Sequence, residues 1–473
     1  MGIGSGQSAK TQKMGLWEVV GIIFFTVSGG AYGLEALVGT VGAFWTLVLV
    51  IVLPILWVIP IALMVAELAS AIPEDGGYYI WVSRALGKFW GFQESWWTLG
   101  YSIANIAIFP VLFISYLGFF YPQLNQSGWE MFALRALLSV VFIFLSLLLN
   151  LRGSKTVGEN AAANMLLVSL PFIALSLSGI FAGERSNLVA ATTLPDSAWM
   201  RPAELAAGLA IVLWNYSGWE SIATCASEVE HPQRNFPIAL GLSLLIIVPS
   251  YVLPLLAGFK VTLNPHDWGD TSGWPSIAEK LGGGWFGWSV GLTALFSTWA
   301  LYNSQLLCVS YLPRVLARDG WFPKHYSFTS QRTGAPYNSL IAISIVAAAM
   351  SILSLKKLIV VDMLFYTLGL ALEFIALIVL RKKEPSLHRP FKIKLPTWGL
   401  ALLSIPPLAI ASCVAIFSAM GEEGSLLQLG IVFVGIVAGV AFYVKRKVSG
   451  VPAFEPSQWV GGDTLGASTR FIG

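Results

Sequence analysis

Apolar residues run through this chain in long blocks, not in the short alternations of a strand or the one-sided stripe of a surface helix. A helix needs about 20 mostly apolar residues to cross a bilayer. Twelve stretches meet that pattern, near 16–41, 44–71, 89–120, 132–150, 160–182, 204–229, 237–259, 285–313, 337–354, 358–380, 398–419 and 426–444. They predict an all-α polytopic membrane protein of twelve transmembrane helices, with short loops and no appended soluble domain. The triplet Gly282-Gly283-Gly284 marks a boundary, and Trp274 to Leu281 before it reads as a separate outer helix. The first 14 residues are polar and lack the apolar centre of a secretory signal, so the N-terminus is expected to stay on its own side of the membrane.

Two of these stretches are interrupted. The first runs apolar to Val27 and then meets Ser28-Gly29-Gly30-Ala31-Tyr32-Gly33; the sixth runs from Leu205 to Trp214 and then meets Asn215-Tyr216-Ser217-Gly218-Trp219-Glu220. In each, a glycine arrives 13 residues into the span. One such glycine is equally well read as a close-packing position between helices. Two of them, five spans apart and each followed by a carboxylate, point instead to broken helices. Freed amides and carbonyls at mid-membrane depth persist where they line a cavity, and paired interruptions in two halves point to a midplane site in an inverted-repeat transporter.

Composition narrows the classes. Hydrophobic residues make up 56% of the chain and charged ones 11%, with a mean hydropathy of +0.72. A soluble protein carries roughly 25% charged residues, so this chain cannot cover a water-facing surface. Its 19 Trp and 28 Phe suit lipid-facing bulk and interfacial belts. A net charge of +3, spread over loops, gives no nucleic-acid footprint. Cys225, Cys308 and Cys413 lie far apart in apolar stretches and read as small buried hydrophobes, with no disulfide or metal spacing. The four histidines, His231, His266, His325 and His388, all fall in loops, and no nucleophile–base pair, cofactor motif or metal-ligand spacing appears, which argues against an enzyme. With the N-terminus inside, 21 of the 28 Lys and Arg residues fall on the cytoplasmic side, which predicts a multi-pass cell-membrane protein with both termini cytoplasmic.

The charges inside spans are all acidic: Glu35, Glu67, Glu94, Glu220, Asp362 and Glu373. Each costs roughly 2.5–3.5 kcal/mol at a helix centre, and a lining of carboxylates suits protons, amines or guanidinium groups. Glu35 and Glu220 fall in the first turns of the resumed half-helices, either as N-terminal caps or beside the cationic group of a substrate. Glu35, Glu220 and Glu373 are the candidates for proton coupling. Glu67 and Glu94, near the ends of their spans, are expected to pair with Arg84 or Lys88, and Asp362 to lie near the outer end of its span. Trp219 is placed to cover an occupied site, and Tyr32, Tyr302 and Tyr366 to add faces or hydroxyls, an aromatic over a cation contributing roughly 0.5–2 kcal/mol. Ser297 and Thr298 read either as packing hydroxyls or as sodium ligands.

These residues carry a resemblance. AELASAIPEDGGYYIWVSRALGKFWGFQE (Ala66 to Glu94) is similar to the loop between spans two and three of the amino acid–polyamine–organocation superfamily. SGGAYGLE (Ser28–Glu35), NYSGWES (Asn215–Ser221), EVEHPQRNFPIAL (Glu228–Leu240), LGLALEF (Leu368–Phe374) and LRKKEPSLHRPFK (Leu380–Lys392) fit in order. The chain resembles that superfamily over nearly its whole length, nearest the L-type amino acid transporters and plant-type polyamine uptake carriers. The resemblance implies a five-plus-five inverted repeat of the LeuT type. Residues 1–15 would be a cytoplasmic tail, 16–182 the first repeat, 204–380 the second, 398–444 two trailing helices and 445–473 a second cytoplasmic tail. It also implies that amides near Ser28, Gly29 and Gly30 receive a substrate carboxylate. Carbonyls around Asn215, Tyr216 and Ser217 would receive an amino group, with Gly218 at the break and Trp219 as the gate. Two departures accompany it. Where many proton-coupled members keep a Lys in span five, this chain has Ser169, Leu170 and Pro171. Where polyamine carriers add acids, it has Ala36 and Asn105, the latter still facing the expected substrate path. The expected activity is secondary-active, proton-coupled uptake of an amine-bearing solute, an amino acid or a polyamine. An exchanger without proton coupling and a non-transporting membrane sensor are the alternatives. Oligomeric state is not written in the sequence.

Overall fold

The computed structural model describes residues 12–195, 202–269, 273–351, 355–420 and 426–448. The tails expected at 1–15 and 445–473 therefore lie largely outside the described residues. Among the described residues the chain forms helices and no strands. They are α1 (Leu16–Val27), α2 (Leu34–Leu53), α3 (Ile59–Ala71), α4 (Tyr78–Leu86), α5 (Lys88–Phe120), α6 (Trp129–Asn150), α7 (Ser154–Ala182) and α8 (Arg185–Thr192). There follow α9 (Pro202–Asn215), α10 (Pro232–Val261), α11 (Gly273–Gly282), α12 (Gly284–Arg318), α13 (Tyr337–Met350), α14 (Leu355–Lys383), α15 (Thr397–Met420) and α16 (Leu426–Val448). The separate outer helix expected before Gly284 is α11.

Among the described residues, seven helical stretches are long and apolar enough to cross a membrane: Leu34–Ala71, Lys88–Phe120, Trp129–Asn150, Ser154–Ala182, Pro232–Val261, Asp362–Lys383 and Thr397–Val414. Leu16–Val27, Glu204–Asn215 and Tyr337–Met350 are apolar but shorter. The outward faces of α6 and α7 carry large apolar side chains, with Leu137 60%, Phe144 55%, Leu170 62% and Phe181 84% exposed. Water would not tolerate that surface and lipid does, so the chain is a multi-pass membrane protein. Cys413 also faces outward, while Cys225 and Cys308 are buried.

Inside this belt α5 packs along α14, α12 and α4, and α1 packs along α7, α10 and α12. The approach of α1 to α7 depends on Gly21, where a β-carbon would lie 2.6 Å from the backbone nitrogen of Ala162. The end of the molecule that carries α4 is tied across distant segments. Met14 N–H donates to Glu228 O at 2.7 Å and Met14 O accepts from Glu230 N–H at 2.9 Å. Asp75 accepts from Ser227 N–H at 2.8 Å and from Ser227 Oγ at 2.7 Å, and meets Arg314 at 3.3 Å. Tyr79 donates to Asp319.

The expected partners of Glu67 and Glu94 are corrected here. Glu67 is fully buried and accepts from Arg381 Nε and Nη2, each at 2.5 Å, and from Ile393 N–H at 2.9 Å, with Arg389 Nε 3.2 Å away. Arg84 pairs with Glu384 instead, at 2.6 and 2.8 Å. Glu94 accepts only from Thr98 Oγ1, at 2.7 Å, through one of its two oxygens. The physical reason is direction: α4 turns Arg84 toward the end of α14, while α5 carries Glu94 one turn and a half into the helical core.

Candidate functional site

Helix α1 stops at Val27, and the chain leaves helical geometry through Ser28–Gly33 before α2 begins at Leu34. Gly29, Gly30 and Gly33 hold φ of 68°, 93° and 91°, a region costly to any residue with a β-carbon. Several of the groups this frees are taken by protein partners, as a low-dielectric setting favours. Ser28 N–H and Gly29 N–H both donate to Phe24 O, at 2.8 and 3.1 Å, and Gly30 N–H donates to Ser28 Oγ at 3.1 Å. Gly29 O accepts from Ser297 Oγ at 2.5 Å, Ala31 O from Trp274 Nε1 at 2.8 Å and Thr26 O from Gln305 Nε2 at 2.9 Å. Ser297 is thus engaged with the break, and Thr298 Oγ1 with the carbonyls of its own helix.

Helix α9 ends at Asn215, and a 3₁₀ stretch begins at Ser221. Between them Gly218 holds φ 103°, and a β-carbon there would lie 2.3 Å from Thr26 O, so the two interruptions touch. Tyr251 donates to Asn215 O at 2.6 Å, Tyr216 to Val50 O at 3.0 Å and Ser217 Oγ to Leu213 O at 2.7 Å. Trp219 is fully buried and donates to Tyr216 O at 2.9 Å, within its own segment.

Beside the crossing lies a small cavity lined by Thr26, Ser28, Tyr32, Asn105, Tyr116 and Asn215 among others, with Trp214 and Phe109 as its aromatic walls. A water's centre can reach about 20 Å³ of it, room for roughly one water. Trp214 Nε1 donates to Asn105 Oδ1 at 3.2 Å. Tyr32 donates to Val290 O at 2.6 Å and packs on Phe172, the ring centroids 4.8 Å apart. Of the expected residues, Ser28, Tyr32, Asn105 and Asn215 therefore meet at one cavity. Tyr302 does not: its ring sits 5.3 Å from Phe142 on α6.

Neither Glu35 nor Glu220 lines this cavity. Glu35 accepts from Gly33 N–H at 2.7 Å and from Tyr116 at 3.4 Å, and a β-carbon at Gly273 would press on its side chain at 2.8 Å. Glu220 accepts from Tyr101 at 3.3 Å and from Tyr366 at 3.2 Å, the two rings 5.3 Å apart. Glu94, Glu373 and Asp362 are buried, and each leaves one oxygen without a partner.

Tyr101, Tyr116 and Trp214 are site residues that the sequence pattern did not single out. For the first two a signal exists. Glu94, Thr98, Tyr101, Asn105, Phe109, Leu112 and Tyr116 follow one another by three or four along the 33-residue α5, a single helical face. Trp214 carries no such signal, because its role depends on where α9 stops.

The family model for amino acid permeases matches residues 14–445. The polyamine transporter PUT1 of Oryza sativa subsp. japonica is 32% identical over 446 residues, 93% of this chain and 80% of that protein. The polyamine transporter RMV1 of Arabidopsis thaliana is 32% identical over 429 residues, 90% of this chain and 84% of the relative. A probable agmatine/putrescine antiporter, AguD of Lactococcus lactis subsp. lactis (strain IL1403), is 23% identical over 447 residues, covering 89% and 92%. A match over nearly the full length, on a helical membrane scaffold, makes the chain a permease and not an enzyme: it belongs to the amino acid permease family of the amino acid–polyamine–organocation superfamily.

Proposed function

We propose that this permease is a secondary-active transporter that takes up a polyamine across the cell membrane by alternating access, with amino acids as the second substrate class. The observation that carries the reading is Glu220. Its carboxylate is buried at the crossing of the two interruptions, held by two phenols, with no basic group in Coulombic reach among the described residues. A buried charge without a partner costs several kcal/mol, and a substrate ammonium supplies the partner. A polyamine is favoured over an α-amino acid because the amides of Ser28, Gly29 and Gly30 already donate to Phe24 O and Ser28 Oγ. That leaves none of these three donors for a substrate carboxylate. The relatives named for polyamines agree with this choice.

The reading includes twelve spans in a five-plus-five inverted repeat with broken helices one and six, two trailing helices and both termini cytoplasmic. The stops of α1 at Val27 and α9 at Asn215, and the bias of basic residues, support it. Coupling to protons would run through Glu35, Glu220 or Glu373, since Ser169, Leu170 and Pro171 offer no amine in span five. Exchange of one amine for another is the second reading of the drive, favoured by the antiporter among the relatives.

The test is uptake into proteoliposomes of putrescine, spermidine, Arg and Leu, with and without an imposed pH gradient. Amine accumulation driven by the gradient is expected, and its loss in the folded Glu35→Gln/Glu220→Gln variant. Accumulation only against an internal amine load would assign exchange. Uptake that survives in the double variant, or saturable binding with no counterflow, would overturn the reading.

A further inference from the structure

Below the Tyr101–Glu220–Tyr366 level, α5 and α14 continue to face each other with chemistry that the central site does not use. On α5, Thr98 and Glu94 follow Tyr101 toward the Lys88 end at helical spacing. On α14, Asp362, Tyr366, Gly369 and Glu373 share one face by the same spacing. The two faces are in contact. A β-carbon at Gly369 would lie 3.7 Å from Glu94 Oε1 and 3.8 Å from Thr98 Oγ1, so α14 lies directly against the Glu94 carboxylate there. Glu94 is 0% and Glu373 3% exposed, and Oε2 of each has no hydrogen-bond partner.

This is an unusual place to leave two acids. Glu67, a few turns away, shows what the fold does with a buried carboxylate that it needs for structure: two arginines and a backbone amide converge on it. Glu94 and Glu373 have each other, Glu220 and Tyr78 within Coulombic reach, and no basic group among the described residues. A buried pair of like charges with open acceptors persists when a proton neutralises it or a cation joins it. Its position says which cation. Seven residues separate Tyr101 from Glu94, and seven separate Tyr366 from Glu373, a rise of about 10 Å along each helix. The central carboxylate and this pair are thus about two helical turns apart along the packed faces of α5 and α14, with Thr98 between them.

We infer that Glu94 and Glu373 form a second cation site, which holds one ammonium of a linear polyamine while another ammonium of the same molecule stays at Glu220. The inference rests on the polyamine reading above. A chain with amines at both ends of about that span bridges the two sites, and a short diamine occupies only the first. The pair therefore acts as a ruler for substrate length on the Lys88 side of the central site.

The experiment is calorimetric titration of the protein in lipid nanodiscs with putrescine and with spermidine, for wild type, Glu94→Gln and Glu373→Gln. Wild type is expected to bind spermidine at least 10-fold tighter than putrescine, and each variant to collapse that ratio to within about 3-fold. A ratio unmoved by both variants overturns the inference while leaving the polyamine reading intact. So does an equal loss for both ligands, which would assign the pair to protons or to packing. Replacing an unpaired buried carboxylate by its amide removes a desolvation cost, so failure of both variants to fold would mark the pair as structural and also overturn it. If wild type binds neither amine, the polyamine reading itself has failed, and that is visible before any variant is read.

Discussion

Glu67 offers the most direct measure of how this fold handles a buried charge. Its carboxylate is fully buried, and the side chains of Arg381 and Arg389 that converge on it are 9% and 6% exposed. The cluster joins the end of α3 to the end of α14 and to the segment before α15, because Ile393 N–H completes the carboxylate at 2.9 Å. Removing one partner of such a pair leaves the other as an uncompensated buried charge, at a cost of about 3–5 kcal/mol. Glu67→Ala should fall at the upper end. Glu67→Gln keeps an acceptor for Ile393 and should fall at the lower end. The internal control is Arg84–Glu384, a 2.6 Å pair whose side chains are 39% and 27% exposed. Solvent screens that pair, and Glu384→Gln should cost no more than about 1 kcal/mol. Equilibrium denaturation in a single detergent, followed by tryptophan fluorescence, compares the three variants with wild type. If Glu67→Ala loses no more stability than Glu384→Gln, burial does not set the value of these pairs and the reasoning is refuted.

Two further outcomes follow from geometry outside the carboxylate path. Gly218→Ala places a β-carbon 2.3 Å from Thr26 O at a φ of 103°, so the two interruptions must separate. A destabilisation of about 1–3 kcal/mol is expected, with amine uptake lost in protein that still inserts; wild-type uptake in this variant would show that the crossing is not part of the site. In the loop before α11, the Lys280 hydrogen bond, with help from Thr262, holds Asp267 below the usual carboxylate range. A depressed folded-state value means stabilisation that is present above the unfolded value of about 3.9 and lost as pH falls through the folded one. Asp267→Asn should therefore melt below wild type at pH 7, by the equivalent of about 0.2–1 kcal/mol. The two melting curves should converge as pH falls through the folded-state value, and a gap that stays constant with falling pH would exclude the ion pair as the cause.

The helical membrane architecture was readable because lipid imposes a local rule: about 20 apolar residues per crossing, whatever the neighbours do. The ends of α1 at Val27 and α9 at Asn215 were readable for a related reason, since the glycine and polar residues that follow them do not continue an apolar helix. What closes them was not. Ser297, Trp274 and Gln305 reach the freed carbonyls of Gly29, Ala31 and Thr26 from 243 to 279 positions away, and no local pattern carries that register. The pairing of acids failed on the same ground. Arg84 is near Glu67 and Glu94 in sequence, yet the partner of Glu67 lies 314 positions on, and Glu94 has no cationic partner among the described residues. Sequence proximity is a poor guide wherever a helix turns its side chains onto a distant neighbour. Helical spacing within one helix is a good one, and from the letters alone it puts Glu94, Thr98, Tyr101, Asn105 and Tyr116 on a single face. Glu67 and Glu94 are indistinguishable as letters, both acids near the end of a span. They differ in what the rest of the fold brings to them, two arginines in one case and, among the described residues, nothing basic in the other. That difference separates an acid that holds helices together from one left open for a cation that arrives from outside.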